Sequence, residues 1–282
     1  MTLTTDEIHK FQRDGYLVID SGLKPEVLDG IVADLAGKFV PQAQATDGLR
    51  LAYRDERRIQ DAWSISRHVL DAALAENVRD ALKQLYERSP FPFQTLNFRM
   101  GSEQKVHSDT IHFNSLPKGF MCGVWLALED IDESNGPLVY YPGSQKLREV
   151  TLNDVGVRPH HFNYPKYEEY IEDLIEKGVE SKLLESKLAP ALGTITKGQA
   201  LIWSSNLLHG GAPHRDKSRT RNSQVTHYFF EGCEYWQPMH SNDRFTFRIY
   251  PTRLDRQPIR VQRVKKIVNG LRWRAARVLG RV

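Results

Sequence analysis

The sequence predicts a mainly β protein with flanking α-helices, its strands folded into a sandwich or barrel. Three observations carry this. After Ser89-Pro90 the chain becomes a series of short strand-like runs punctuated by Gly and Pro turns. Before that point apolar residues recur mainly at helical spacing. Neither a GxGxxG nor a Walker pattern occurs, so nothing points to a doubly wound nucleotide-binding sheet. With 282 residues, 40% hydrophobic and 10% aromatic, the chain can bury a sizeable core as one domain.

The elements follow in order. Thr4 to Glu7 forms a capping box, with Ile8 and Phe11 at helical spacing behind it, and Asp14-Gly15 ends that helix. Tyr16-Leu17-Val18-Ile19 reads as a short strand. Pro25 starts a second helix whose apolar stripe is Val27, Leu28, Ile31, Val32 and Leu35. Residues 60–88 hold more helical pattern, broken near Glu76-Asn77. Phe91 to Arg99 alternates as a strand, placing Thr95, Asn97 and Arg99 on one face, and Met121 to Leu128 is another strand. Asn135-Gly136 is a hairpin signal, and Leu138 to Tyr141 runs into the turn Pro142-Gly143-Ser144. Strands resume at Gly193 to Thr196, Ala200 to Trp203 and Gln224 to Phe230. Between the two sets lies a charged helical insert, about residues 155–190, with Tyr167, Tyr170, Ile171, Leu174 and Ile175 in helical register. It reads either as inert decoration or as a cover over a site.

The chemistry centres on Lys105 to Thr110. In an extended segment His107 and Asp109, two positions apart, point to the same face, so an imidazole nitrogen and a carboxylate oxygen can reach one metal ion. Two His and one carboxylate with the other positions open describe a non-haem Fe(II) oxygenase site. The third ligand expected is His209, which ends an apolar strand and is followed by Gly210-Gly211, leaving room around it. His112, His160, His161, His214 and His227 lack that placement. Downstream, Arg221 and Ser223 fall on one face of the next strand, where a guanidinium and a hydroxyl can grip a carboxylate. An Arg in a basic surface turn beside Arg215 and Lys217 would look the same in isolation.

The chain resembles the phytanoyl-CoA dioxygenase family of Fe(II)/2-oxoglutarate oxygenases over most of its length. The resemblance runs from the opening helix into Asp14-Gly-Tyr-Leu-Val-Ile19, through His107-Ser-Asp109, Trp125 in Val-Trp-Leu-Ala-Leu-Glu-Asp, Asn135-Gly-Pro-Leu and Pro142-Gly-Ser, to Leu208-His209-Gly210 and Arg221. It implies a double-stranded β-helix core, a jelly roll of the cupin-like kind with iron at one mouth. It implies His107, Asp109 and His209 as iron ligands and catalytic centre, and Arg221, Ser223, Trp125 and, more loosely, Asn97 as contacts to 2-oxoglutarate. Fe(II), 2-oxoglutarate and O2 would then hydroxylate an unactivated C–H of a small molecule, with succinate and CO2 as co-products. A carboxylate at 109 also speaks for hydroxylation or desaturation over halogenation, which needs that ligand absent. One departure stands out: where some relatives carry a hydroxyl residue two after the late His, this chain has Gly211.

Other readings are a non-catalytic metal-binding protein on the same scaffold and a zinc-dependent hydrolase, in which Arg221 and Ser223 would have no task. For the substrate, His112, Phe113 and Asn114 follow the metal motif, and His160, His161, Tyr164 and Tyr167 approach from the insert. These residue types suit a polar ligand, glycosidic or anionic, better than a bare hydrocarbon. The oxygenase domain is expected to span residues 1–256, with a helical part over 1–90. Residues 257–282 form a basic amphipathic tail holding eight Lys or Arg and no acidic residue, so the body before it is mildly acidic within a net charge of +4. The tail's apolar stripe suits an anionic membrane surface, or docking on the body or a second subunit. No nucleic-acid motif accompanies its charge, and no nucleic-acid partner is expected. No apolar run approaches the roughly 20 residues that span a bilayer, the N-terminus lacks a signal-peptide pattern, and Cys122 and Cys233 read as reduced thiols. A cytoplasmic protein is the expectation.

Overall fold

The computed structural model describes residues 1–40, 53–151, 154, 178–241 and 245–256. Most of the expected insert, including His160, His161, Tyr164 and Tyr167, and the whole basic tail lie outside the described residues.

The N-terminal elements form for local reasons. Helix α1 (Thr5–Asp14) starts with both halves of the capping box, Thr4 and Glu7, and stops at Gly15 in the left-handed region (φ +80°). Strand β1 (Tyr16–Asp20) follows at once, and α2 (Pro25–Leu35) has Pro25 at its start and buries Leu28, Ile31 and Leu35. Two short strands, β2 (Tyr53–Arg54) and β3 (Arg58–Gln60), precede α3 (Arg67–Ala73) and α4 (Glu76–Tyr86). The chain breaks between these helices at Leu74-Ala75, just before the expected Glu76-Asn77.

The sheets come next: β4 (Pro90–Phe98), β5 (Asn114–Leu116), β6 (Met121–Ala127) and β7 (Leu138–Tyr140). Helix α5 (Glu180–Ser186) is the described part of the insert. Then follow β8 (Ala191–Leu192), β9 (Gln199–Ser204), β10 (His209–Gly211), β11 (Ser223–Phe230), β12 (Glu234–Trp236) and β13 (Arg248–Ile249). The large sheet runs β1-β9-β6-β11-β4-β3-β2, and every pairing is antiparallel. Two three-stranded sheets, β10-β7-β8 and β13-β12-β5, complete a jelly-roll core. A layered jelly roll of this kind limits exposed sheet edges without abolishing them.

The register tells which side chains face the interior. On β11, Gln224 Nε2 donates to Val69 O and Tyr228 Oη donates to Ala73 O, both on α3, while Phe230 stacks on Tyr86 of α4. Ser223, Val225 and His227 must therefore face the opposite way, into the roll. Helices α1 to α4 pack on the outer face of the large sheet and share one core with it, including Ile31, Val69, Leu82, Cys122 and Ile202. Full burial of each large apolar side chain contributes about 1.5–3 kcal/mol.

Asn135-Gly136 does not form a tight two-strand hairpin. The Asn135 amide is buried and donates to Asp130 O and Thr220 O, closing a wider loop, and the strand that follows pairs with β10 instead of β6. Likewise the strand expected at Gly193–Thr196 is shifted to β8. Gly193 lies against Trp125, where a Cβ would meet the indole at 2.8 Å.

Candidate metal centre

His107, Asp109 and His209 come together, with one potential ligand atom from each lying within 4.8 Å of the others, and all three are buried. His209 opens β10. His107 pairs with it as an isolated antiparallel bridge, His107 N donating to His209 O at 2.8 Å and His209 N to His107 O at 2.9 Å. Ser108 is extended (φ −115°, ψ 140°), so His107 and Asp109 point to the same side, and Asp109 then starts a single 3-10 turn. Gly210 and Gly211 do not simply leave room around the histidine. A Cβ on Gly210 would come 2.7 Å from Gln104 O, and one on Gly211 would come 2.6 Å from both Glu103 N and Ser102 Oγ. The two glycines let the 102–106 segment, which leads into the metal motif, cross β10 at close range.

The imidazoles are held in the ligating tautomer. His107 Nδ1 lies 2.8 Å from Lys105 O, and His209 Nδ1 lies 3.0 Å from Leu207 O. A carbonyl only accepts, so each Nδ1 carries a proton, which leaves Nε2 as the nitrogen of each ring that can ligate. Those nitrogens stand 3.9 Å and 3.7 Å from Asp109 Oδ1. Burial, with His209 nearby, lowers the His107 pKa to about 3 and keeps the ring neutral. Burial alone would raise Asp109, but the surrounding His209, His227 and His107 and the Trp203 N–H outweigh it and hold the carboxyl near 2. A neutral His107 beside an anionic Asp109 is the protonation state a divalent ion needs.

The centre opens into a cavity of about 640 Å³, within the usual range for small-molecule sites of roughly 300–1,000 Å³. At one end Arg221 is buried, its Nη1 donating to Ser223 Oγ at 2.7 Å, and its guanidinium lies 5.3 Å and 5.4 Å from the rings of Phe98 and Trp125. Desolvation lowers its pKa to about 10, against the pull of Glu129. Arg221 Nε and Trp125 Nε1 are buried donors without a hydrogen-bond partner among the described residues. A desolvated guanidinium with one orphaned N–H of its own and the orphaned indole N–H beside it fits a dicarboxylate such as 2-oxoglutarate. Ser102, which lines the same cavity, puts its hydroxyl where a side chain on Gly211 would go. The hydroxyl absent from position 211 is thus present from the neighbouring segment.

His112 and Phe113 line the cavity, near the metal triad. Asn97 does not. It faces the helices, directly opposite Gln224, and donates to Gln224 Oε1 at 3.1 Å, so it is no cosubstrate contact in this geometry. Asn114 also turns away from the cavity, its Oδ1 accepting from Ser115 N at 2.8 Å. His214 is structural: Gly101 N donates to its Nδ1, and its Nε2 donates to Asp216 O and Arg219 O. Two site residues are not legible as such in the sequence. His227 lines the cavity with Nε2 3.7 Å from Asp109 Oδ2, and Trp203 Nε1 donates to that same oxygen at 2.7 Å. Strand parity is the available signal for His227, since it lies in phase with Ser223.

Residues 11–223 match the family model described as Phytanoyl-CoA dioxygenase (PhyH), a span that holds the triad, Arg221 and Ser223. Among curated proteins, the chain is 26% identical over 290 aligned residues to phytanoyl-CoA dioxygenase domain-containing protein 1 of Danio rerio, covering 84% of this chain and 93% of that one. It is 25% identical over 222 residues to the ectoine dioxygenase of Bordetella parapertussis, covering 74% and 70%. Among solved structures, EctD from S. alaskensis with 2-oxoglutarate and 5-hydroxyectoine superposes with a TM-score of 0.60 at 18% identity, covering 91% of this chain and 89% of that one. The non-heme alpha ketoglutarate dependent epimerase SnoN from nogalamycin biosynthesis gives 0.61 at 15% identity, covering 84% and 86%. These structural likenesses establish the shared fold.

Proposed function

The chain belongs to the phytanoyl-CoA dioxygenase family of Fe(II)- and 2-oxoglutarate-dependent oxygenases, and from that premise we propose that it hydroxylates an unactivated C–H bond of a small polar molecule. One observation carries the reading: the His107-Asp109-His209 cluster and the orphaned donors of Arg221 and Trp125 open into a single cavity. A zinc hydrolase or a metal-binding protein without catalysis would leave those buried donors unexplained.

Bound Fe(II), with 2-oxoglutarate and O2, would supply the oxidising power, yielding succinate and CO2 as oxygen enters the substrate. The chain's own residues do the rest. His107 and His209, their Nδ1 atoms occupied by backbone carbonyls, present Nε2 to the ion, and Asp109 supplies one negative charge against the cation. Arg221, held by Ser223, takes the distal carboxylate of 2-oxoglutarate, with the Trp125 N–H and the Ser102 hydroxyl as further donors. Phe98, Leu138 and Val225 keep that end of the cavity dry.

Support for a polar, hydroxyl-bearing substrate comes from the rest of the cavity. Gln60, Gln94, His112, His227, Gln237 and His240 line it, beside Phe113 and Met239. Phe93, Phe113 and Phe229 form an aromatic cluster behind His227, with Phe93 and Phe229 stacked at 4.2 Å. Amide and imidazole groups interleaved with aromatic rings suit hydroxyl-rich ligands better than hydrocarbon chains.

The test is Fe(II)-dependent succinate formation from 2-oxoglutarate, with product pools screened by mass for the gain of one oxygen. The wild type should turn over and Asp109→Ala should not. Undiminished turnover in Asp109→Ala would remove the triad from the reaction.

A further inference from the structure

Four directly opposed residues form one row across four adjacent strands: Trp203 on β9, Gly123 on β6, His227 on β11 and Gln94 on β4. The Trp203 indole lies over Gly123, where a Cβ would come 2.2 Å from Cζ2 and 2.3 Å from Cε2. In that seat its Nε1 donates to Asp109 Oδ2 at 2.7 Å, and its ring centroid is 4.8 Å from that of His209. On the other flank of the same oxygen His227 Nε2 stands 3.7 Å away, while His227 Nδ1 lies 2.9 Å from Gln94 Oε1. Among the described residues Asp109 Oδ1 has no such neighbour; it faces the two ligand imidazoles.

The two oxygens of Asp109 are thus in unlike surroundings. We propose that Trp203, seated on Gly123, is a positioning residue that holds Asp109 as a one-oxygen metal ligand, leaving the other coordination positions to the cosubstrates. This rests on the Fe(II)/2-oxoglutarate reading of the centre. For Oδ2 to swing onto the metal it would have to release the indole N–H, which would then be buried without a partner, and that penalty opposes the swing. A second Asp109 oxygen on the ion would compete with 2-oxoglutarate and O2 for the positions that a site of two histidines and one carboxylate leaves open. Gly123 is part of the device because any side chain there would lift the indole off the sheet and break its bond to Asp109. Hydrogen bonds of this outer kind orient metal ligands and tune them.

The experiment uses the full-length protein with Co(II) as a coloured substitute for Fe(II), followed by titration with 2-oxoglutarate. Wild-type protein should bind Co(II), and its visible ligand-field bands should change when 2-oxoglutarate is added. Trp203→Phe keeps the ring and removes the donor. It should bind Co(II) with altered bands before any cosubstrate is present, and its affinity for 2-oxoglutarate should fall by about 10–100-fold. Gly123→Ala keeps the donor but displaces it, and should show the same change in bands. Wild-type bands and wild-type 2-oxoglutarate affinity, in whichever of the two variants folds, overturn the proposal. A wild type that binds neither Co(II) nor 2-oxoglutarate overturns the metal-centre reading itself, and this inference with it.

Discussion

His107 and His209 are joined through their main chains by two hydrogen bonds, at 2.8 and 2.9 Å, so their imidazoles are neighbours before any ion binds. Stripping metal with a chelator should therefore leave the far-UV circular dichroism unchanged. Adding Fe(II) or Co(II) back at about 100 times its Kd should stabilise the fold by roughly 2.7 kcal/mol, read from the denaturation midpoint. Loss of secondary structure on chelation would mean that the ion, not the bridge, assembles the centre.

Arg221 is a buried cation whose nearest hydrogen-bonding group is one hydroxyl. Arg221→Lys should raise the KM for 2-oxoglutarate roughly tenfold or more, since a hydrogen bond to a charged group contributes about 1.5–3 kcal/mol. Arg221→Met, of similar length but uncharged, should abolish binding of 2-oxoglutarate yet leave the protein as stable or more so, because the desolvation cost disappears. Calorimetric titration beside thermal unfolding separates the two effects.

Ser102 puts a hydroxyl into the place left by Gly211. If it contacts 2-oxoglutarate, Ser102→Ala should weaken cosubstrate binding by the worth of one hydrogen bond, about 0.5–1.5 kcal/mol, with little change in kcat. An unchanged KM for 2-oxoglutarate would assign Ser102 to the loop alone.

Glu103 fastens the same segment, accepting from Lys217 Nζ at 2.8 Å, His214 N at 3.0 Å and Arg57 Nη1 at 3.2 Å. The Lys217 hydrogen bond, then that from the His214 amide, lowers its carboxyl from 4.5 to about 2. A carboxyl with a lowered folded pKa favours the folded state above its unfolded pKa and loses that contribution as pH falls through the folded one. Wild type should therefore be more stable than Glu103→Gln at neutral pH, with the gap closing between pH 4.5 and about 2. A gap that does not narrow in acid would show that the ion contacts of Glu103 carry no stability.

The triad is legible in the sequence because its logic is local: His-x-Asp on an extended segment, and a late His ahead of Gly-Gly. Face assignment is harder. By alternation both faces of β4 are mixed, Phe91 and Phe93 with Thr95 and Asn97 on one and Leu96 and Phe98 with Gln94 on the other, so the sequence separates the two sets without saying which looks inward. That follows only from the register Phe98 to Ser223 and Leu96 to Val225. The same register, extended by two, names His227, which lines the site without the flanking glycines that single out His209. Strands β5, β12 and β13 are two or three residues long and offer no period to read. Trp203 gives no local sign of its task, because its partner Asp109 and its seat Gly123 lie on other segments.

Both triad histidines lean on carbonyls, those of Lys105 and Leu207, which belong to the main chain and do not depend on the side chains at those positions. Substitution at 105 or 207 therefore leaves the acceptor where it is, so long as the backbone holds its path. The protonation pattern of the centre is in this sense robust to sequence drift beside it. The fragile positions lie further off, at Gly123 and Gly210-Gly211, where adding a single methyl group would push apart surfaces that now touch.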